Sequence, residues 1–121
     1  MHVKEEHVFQ AIEAADAIFE EGAVGAGTGM YCLGVKGGIG SSSRIVPVDG
    51  KEYAVGALVM SNFGVPGNLV IGGERVGRKI KAVKAAEKDQ GSIIILIATD
   101  LPLSERQLKR TANRAAVSLA R

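Results

Sequence analysis

Apolar positions near the start of the chain recur at intervals of three and four: Val8, Ala11, Ile12, Ala15, Ile18 and Phe19, with Lys4, Glu5, Glu6, Glu13, Asp16 and Glu20 falling mainly between them. This period predicts an amphipathic helix that ends before Gly22. The stretch Gly22-Ala-Val-Gly-Ala-Gly-Thr-Gly-Met30 then predicts irregular backbone, because closely spaced glycines weaken a helix and leave a strand little to pack. Residues 31–36 and 43–48 read as strands. Asp49-Gly50 is a strong two-residue hairpin signal leading into a further strand over 52–61, so a β-meander is expected. Pro66-Gly67-Asn68 predicts a turn, 69–71 a short strand, and Gly72-Gly73 a second break. The segment 80–88 is open between helix, favoured by its alanines and lysines, and loop.

The end of the chain is patterned more sharply. Ile93 to Ala98 is an unbroken apolar run of strand length, which reads as a strand buried on both faces. Pro102 closes the turn after it. Ser104 is placed as an N-cap with Gln107 at the capping-box position, and Leu108, Ala112, Ala115, Ala116 and Leu119 line one face of a final helix. A doubly buried strand needs a covering layer on each side. The helices supply one, so a second sheet or a partner is expected on the other, which makes the fold class an α/β sandwich. The last helix reaches Arg121 without a stop signal, so both ends read as cut.

Composition narrows the functional classes. A chain of 121 residues with 46% hydrophobic content suffices for one domain over 1–121 with a core. Fifteen Lys and Arg against 13 Asp and Glu leave a net charge of +2, too small to indicate a nucleic-acid or membrane surface. The 93–98 run is far too short to span a bilayer, and no signal peptide is visible at the amino terminus. Cys32 is the single cysteine, expected to be a buried strand residue, and no Cys/His cluster has zinc spacing. No metal or cofactor is expected, and a reducing, cytoplasmic compartment fits.

The candidate chemistry centres on Ser92, which follows Gly91 at the mouth of the apolar strand. A serine hydroxyl is a weak nucleophile without a base, and the only histidines, His2 and His7, lie on or near the first helix. No Ser-His-Asp set is apparent. One alternative is a serine that attacks the carbonyl of its own preceding residue, with glycine at 91 leaving the attack unobstructed and the backbone tolerant of strain. The other is a serine that merely starts a strand beside a glycine. Asn62, in Ser61-Asn62-Phe63-Gly64, is by itself a turn-shaping residue. The glycines of 25–30 lack the spacing of a dinucleotide fingerprint and a Walker ending, so nucleotide binding is disfavoured. Lys36 and Arg44 flank a second glycine block; solvated surface charges or anchors for a substrate carboxylate are both open.

Four segments, GAGTGM (25–30), VKGGIGSSSR (35–44), ALVMSNFG (57–64) and GSIIILIATDLPL (91–103), resemble in this order the recurring GGTGM, FKGGIGTSSR, VLVQxNFG and GSIIVxxATDxPL of the self-processing L-aminopeptidase/D-amidase-esterase family, the DmpA and β-peptidyl aminopeptidase group. QLKRTANRAA (107–116) continues the family's next helix, so the likeness covers nearly the whole chain. The resemblance implies a partial αββα sandwich of the N-terminal-nucleophile type. It implies scission between Gly91 and Ser92, with Ser92 as nucleophile toward amino-terminal peptide, amide or ester bonds and Asn62 as an oxyanion donor. It also implies close backbone approach at both glycine blocks, short peptides or amino-acid amides and esters as substrates, and a homo-oligomer.

Family members carry a long region before the segment that begins here and another after Arg121, so the resemblance implies a truncated member. The family's further serine and acidic residue lie beyond the last helix and its aromatic hydroxyl residue before the first; Tyr31, Tyr53, Ser104 and Ser118 match none of these. Two expectations follow. The chain is a self-processing aminopeptidase, or, truncated and inactive, it persists as a non-catalytic oligomeric fold module.

Overall fold

The computed structural model describes residues 2–80 and 91–119. Its elements are α1 (Glu5–Glu13), β1 (Tyr31–Cys32), β2 (Val35–Lys36), β3 (Gly38–Val48), β4 (Lys51–Asn62), β5 (Ser92–Thr99) and α2 (Glu105–Ser118), with single 3-10 turns at Gly25–Gly27, Pro66–Asn68 and Val76–Arg78. β1 and β2 form a small hairpin. β3, β4 and β5 form a three-stranded sheet in that order, antiparallel throughout.

The β3–β4 hairpin turns where the sequence places it. Asp49 and Gly50 have φ of 49° and 74°, and Val48 pairs with Lys51 across them. Both central residues are in the left-handed region that a tight hairpin matching the twist of its strands requires. β3 begins earlier than its apolar pattern suggests. Its first half is the glycine- and serine-rich stretch 38–43, held as strand by the ladder to β4 rather than by side-chain packing. The first glycine block is irregular, as expected, and meets β3 main chain to main chain: Gly22 N–H donates to Ile39 O at 2.7 Å and Ile39 N–H to Gly22 O at 2.9 Å.

Several expectations are corrected. α1 stops at Glu13, with Ile18 89% exposed beyond it. None of its residues is buried, so its short sequence lacks the tertiary packing from which most helical stability comes. The Asp16 carboxylate also accepts the N–H of Ala17 at 2.6 Å, a local bond that competes with helix. The strand expected over 31–36 is broken in two by a turn at Leu33 and Gly34, with φ of 51° and 82°. The strand expected over 69–71 reduces to one bridge between Ile71 and Glu74, because Gly72 and Gly73, at φ 57° and 84°, turn the chain back on itself. Of the segment 80–88, residues from 81 onward lie outside the described residues. Cys32 lies in a strand but is half-buried rather than buried.

β5 and α2 follow the sequence reading closely. Ser104 N–H donates to Gln107 Oε1 at 2.9 Å, which closes the capping box at the start of α2. Leu108, Ala112, Ala115, Ala116 and Leu119 turn toward Ile93, Ile95, Ile97 and Thr99 of β5 across an apolar cleft. The burial of β5 differs from expectation. It alternates along the strand instead of being uniform, and Ile94 and Leu96, on the face away from α2, are 52% and 59% exposed. Among the described residues no apolar side chain is fully buried. The helix-covered face of the sheet is therefore layered as an α/β sandwich requires, and its other face is apolar and, among the described residues, exposed at Ile45, Ile94 and Leu96.

Candidate active site

Ser92 is the first residue of β5 and Asn62 the last of β4, and the register of the two strands makes them direct cross-strand partners. Residues opposite one another in an antiparallel pair project to the same face, with Cβ atoms about 4.5–5.5 Å apart. The alternation of β5 puts this pair on the face away from α2, together with Met60 and Ile94, the next pair along. Two residues thirty positions apart in sequence thus share one sheet edge.

The Asn62 side chain is oriented by a contact that no sequence pattern signals. Its Oδ1 accepts the main-chain N–H of Tyr31 at 3.1 Å. A main-chain N–H only donates, so this bond assigns the oxygen to the Tyr31 side and leaves Nδ2, a pair of donors, directed elsewhere. Among the described residues Nδ2 has no hydrogen-bond partner. The donor on Asn62 is therefore available next to Ser92, which is exposed.

Gly91 is fixed by steric necessity. A Cβ there would fall 2.0 Å from Asn62 O and 2.4 Å from Phe63 Cα. The Gly91 backbone lies flush on the Asn62-Phe63 main chain, a placement only glycine permits. Close approach is thus a sufficient reason for glycine immediately before Ser92.

The remaining candidates separate. His7 Nδ1 accepts the N–H of Lys4 at 3.1 Å at the start of α1, and its ring lies 6.4 Å from that of His2. The Asp100 carboxylate accepts Ala54 N–H at 2.7 Å at the opposite end of β5 from Ser92. Among the described residues no side chain hydrogen-bonds Ser92, so nothing resembling a Ser-His-Asp relay is assembled. Arg44 sits opposite Val55, itself opposite Thr99, at that same far end, whereas Lys36 pairs with Tyr31 and so lies on the hairpin that touches Asn62. Among the described residues no group of three or more His, Cys, Asp and Glu is placed to hold a metal ion. No helix among them is long and apolar enough to cross a membrane.

The sequence and the fold of this chain recur in known proteins. The chain is 43% identical, over 99% of its length, to the β-peptidyl aminopeptidase BapA of Sphingosinicella microcystinivorans, and 42% identical over 96% to that of Sphingosinicella xenopeptidilytica. It spans about a third of these curated relatives, 34% and 32% of their lengths. Among solved structures it superposes on a Pyrococcus horikoshii OT3 protein with TM-score 0.84 at 58% identity, covering 99% of this chain and 33% of that one. A Burkholderia sp. β-aminopeptidase gives 0.82 at 44%, covering 98% and 33%. The L-aminopeptidase D-Ala-esterase/amidase of Ochrobactrum anthropi, described as a prototype for the serine aminopeptidases and a variant of the Ntn hydrolase fold, gives 0.85 at 41%, covering 99% and 33%. The fold is thus that of the DmpA-type Ntn hydrolases, and with the model of peptidase family S58 matching residues 1–121, the chain belongs to that family.

Proposed function

We propose that the chain is the nucleophile-bearing part of a self-processing serine aminopeptidase, with Ser92 as nucleophile and Asn62 as oxyanion donor. The observation that carries this reading is the Asn62–Ser92 pair: a serine at a strand start, its direct partner an asparagine whose oxygen is tied back to Tyr31 N–H. In the first reaction Ser92 Oγ attacks the Gly91 carbonyl carbon. Collapse of the tetrahedral intermediate breaks the Gly91–Ser92 peptide bond, the proton lost from Oγ passing to the departing nitrogen, and leaves residue 91 as an ester on Oγ; water then hydrolyses the ester. The products are a carboxylate at Gly91 and a free α-amine on Ser92.

That amine, with a reference pKa of about 7.7–8.0, is the base for the adjacent hydroxyl in later turnovers. It takes the Oγ proton as Oγ attacks a substrate carbonyl. The proton passes to the departing amine or alcohol, and water cleaves the acyl-enzyme ester. Asn62 Nδ2 donates to the oxyanion in both reactions, an interaction that elsewhere contributes roughly 3 kcal/mol. Short peptides, amino-acid amides and esters are the substrate class, and a homo-oligomer in a reducing, cytoplasmic compartment completes the reading. Intact-mass spectrometry of the fresh protein beside Ser92→Ala tests it: two fragments dividing between Gly91 and Ser92, absent in the variant, are expected, and one uncut mass in both rejects it.

A second reading is favoured by the open apolar face at Ile45, Ile94 and Leu96, which are 57%, 52% and 59% exposed. In it the chain is a non-catalytic module of the family that persists by burying this face in an assembly. An intact, inert and oligomeric protein is its signature.

A further inference from the structure

We propose that the β1–β2 hairpin is a positioning device for Asn62, and that the Tyr31 main-chain N–H decides which end of the Asn62 amide faces Ser92. The inference rests on the roles proposed for Ser92 and Asn62.

An asparagine amide is nearly symmetric in shape, and a half-turn about its last side-chain bond exchanges oxygen for nitrogen at little steric cost. At an oxyanion site the two orientations are opposite in effect. Nδ2 presents donors to the developing negative charge, and Oδ1 presents lone pairs that repel it. Orientation must therefore be enforced, and a fixed main-chain donor enforces it, since it accepts no hydrogen and can satisfy only Oδ1.

The hairpin is built to hold that donor still. Its two pairs, Tyr31 with Lys36 and Cys32 with Val35, close on the left-handed turn at Leu33 and Gly34. From the turn, Leu33 N–H donates to Phe63 O at 2.8 Å. The Leu33 side chain fills the space that a Cβ on Gly64 would occupy, with Cδ2 2.3 Å from that position. At the open end Gly37 N–H donates to Met30 O at 2.9 Å, and a Cβ on Gly37 would lie 2.6 Å from Ser61 O. The hairpin thus touches the chain on both sides of Asn62, at Ser61 and at Phe63-Gly64, and places Tyr31 N–H over the side chain between them. A non-glycine residue in the left-handed region at Leu33 is a cost that these contacts offset.

The deciding experiment replaces the Met30–Tyr31 peptide bond by an ester, incorporating the α-hydroxy analogue of tyrosine in the full chain, which removes the N–H and leaves the tyrosine ring. Asn62→Ala is made alongside, and kcat and KM are measured on an amino-acid p-nitroanilide with melting temperatures as a folding check. The ester variant is expected to lose about 10- to 100-fold in kcat with KM within about twofold, a split that marks lost transition-state stabilisation rather than lost binding. Leu33→Ala, which loosens the hairpin but keeps the N–H, is expected to lose about 3- to 10-fold in kcat. An ester variant with wild-type kcat, beside an Asn62→Ala variant that is impaired, overturns the inference and leaves the proposed function standing. If the wild-type protein neither cleaves itself nor turns over substrate, the proposed function fails, and NMR of the Asn62 side-chain amide decides the positioning by itself. Its resonances are expected to shift and broaden in the ester variant, and unchanged resonances overturn it.

Discussion

Gly91 lies against the main chain of Asn62 so closely that a Cβ on residue 91 would fall 2.0 Å from the Asn62 carbonyl oxygen. The residue before the proposed nucleophile and the residue that serves it are in backbone contact, so a change at either one is felt at the other. Gly91→Ala must therefore push β5 away from the end of β4. The expected cost is about 1–3 kcal/mol of stability, as for other overpacked sites, together with loss of scission. A melting curve and an intact mass on one sample report both. A stable variant that still cuts would mean that the contact is dispensable.

Ser92→Ala separates chemistry from folding. Ser92 is exposed and makes no side-chain hydrogen bond among the described residues, so its removal is expected to change stability by less than about 0.5 kcal/mol. Scission and turnover are expected to vanish altogether. Residual hydrolysis after removal of contaminating peptidases would assign the nucleophile elsewhere.

Asn62→Ala and Asn62→Asp differ in a useful way. Alanine removes the donor, with an expected loss of about 10²–10³ in kcat. Aspartate keeps an acceptor for Tyr31 N–H but replaces Nδ2 by a second oxygen, so it is expected to be the more damaging of the two despite its closer shape. An aspartate variant more active than the alanine variant would argue against an oxyanion role.

The proposed base gives the pH dependence a definite sign. The α-amine of Ser92 accepts a proton only when neutral, so activity of the processed form is expected to fall as pH drops through about 7.7–8.0. Self-cleavage precedes the existence of that amine, and the inflection is expected to be missing from its rate profile. The same inflection in both profiles would point to a different base.

Two structural devices can be altered without touching the site. Gly50→Ala places a side chain at φ 74° and is expected to cost about 1–2 kcal/mol. Ser104→Ala removes the residue that opens the α2 capping box, for about 1 kcal/mol. Urea titrations of both, with activity per folded molecule unchanged, are the expected outcome.

The parts of this fold that were readable from sequence are those in which side-chain chemistry dictates local geometry. Asp49-Gly50 announces its turn because few residues accept positive φ, and Ser104 with Gln107 announces a helix start because both side chains bond to main-chain donors or to each other. The turn at Leu33-Gly34 stayed hidden because leucine is a poor candidate for φ 51°, and what holds it there is Phe63, thirty residues on. The end of α1 is not legible because the apolar spacing continues to Phe19, whereas Ile18 and Phe19 are exposed and no residue of α1 is buried. Ser92 and Asn62 could be singled out by motif. Their pairing and the part of Tyr31 could not, since register and main-chain donors leave no mark on residue identity.

β5 pairs with β4 along its whole length, from Ser92 opposite Asn62 to Thr99 opposite Val55. Hydrolysis at Gly91 would not release it. The cut would turn one polypeptide into two, and a ladder laid down during folding of a single chain would become a subunit interface without a single new contact. Such a protomer would migrate as one species in a native gel and as two under denaturing conditions, and once pulled apart it would have to rebuild a sheet that had first been assembled within one chain.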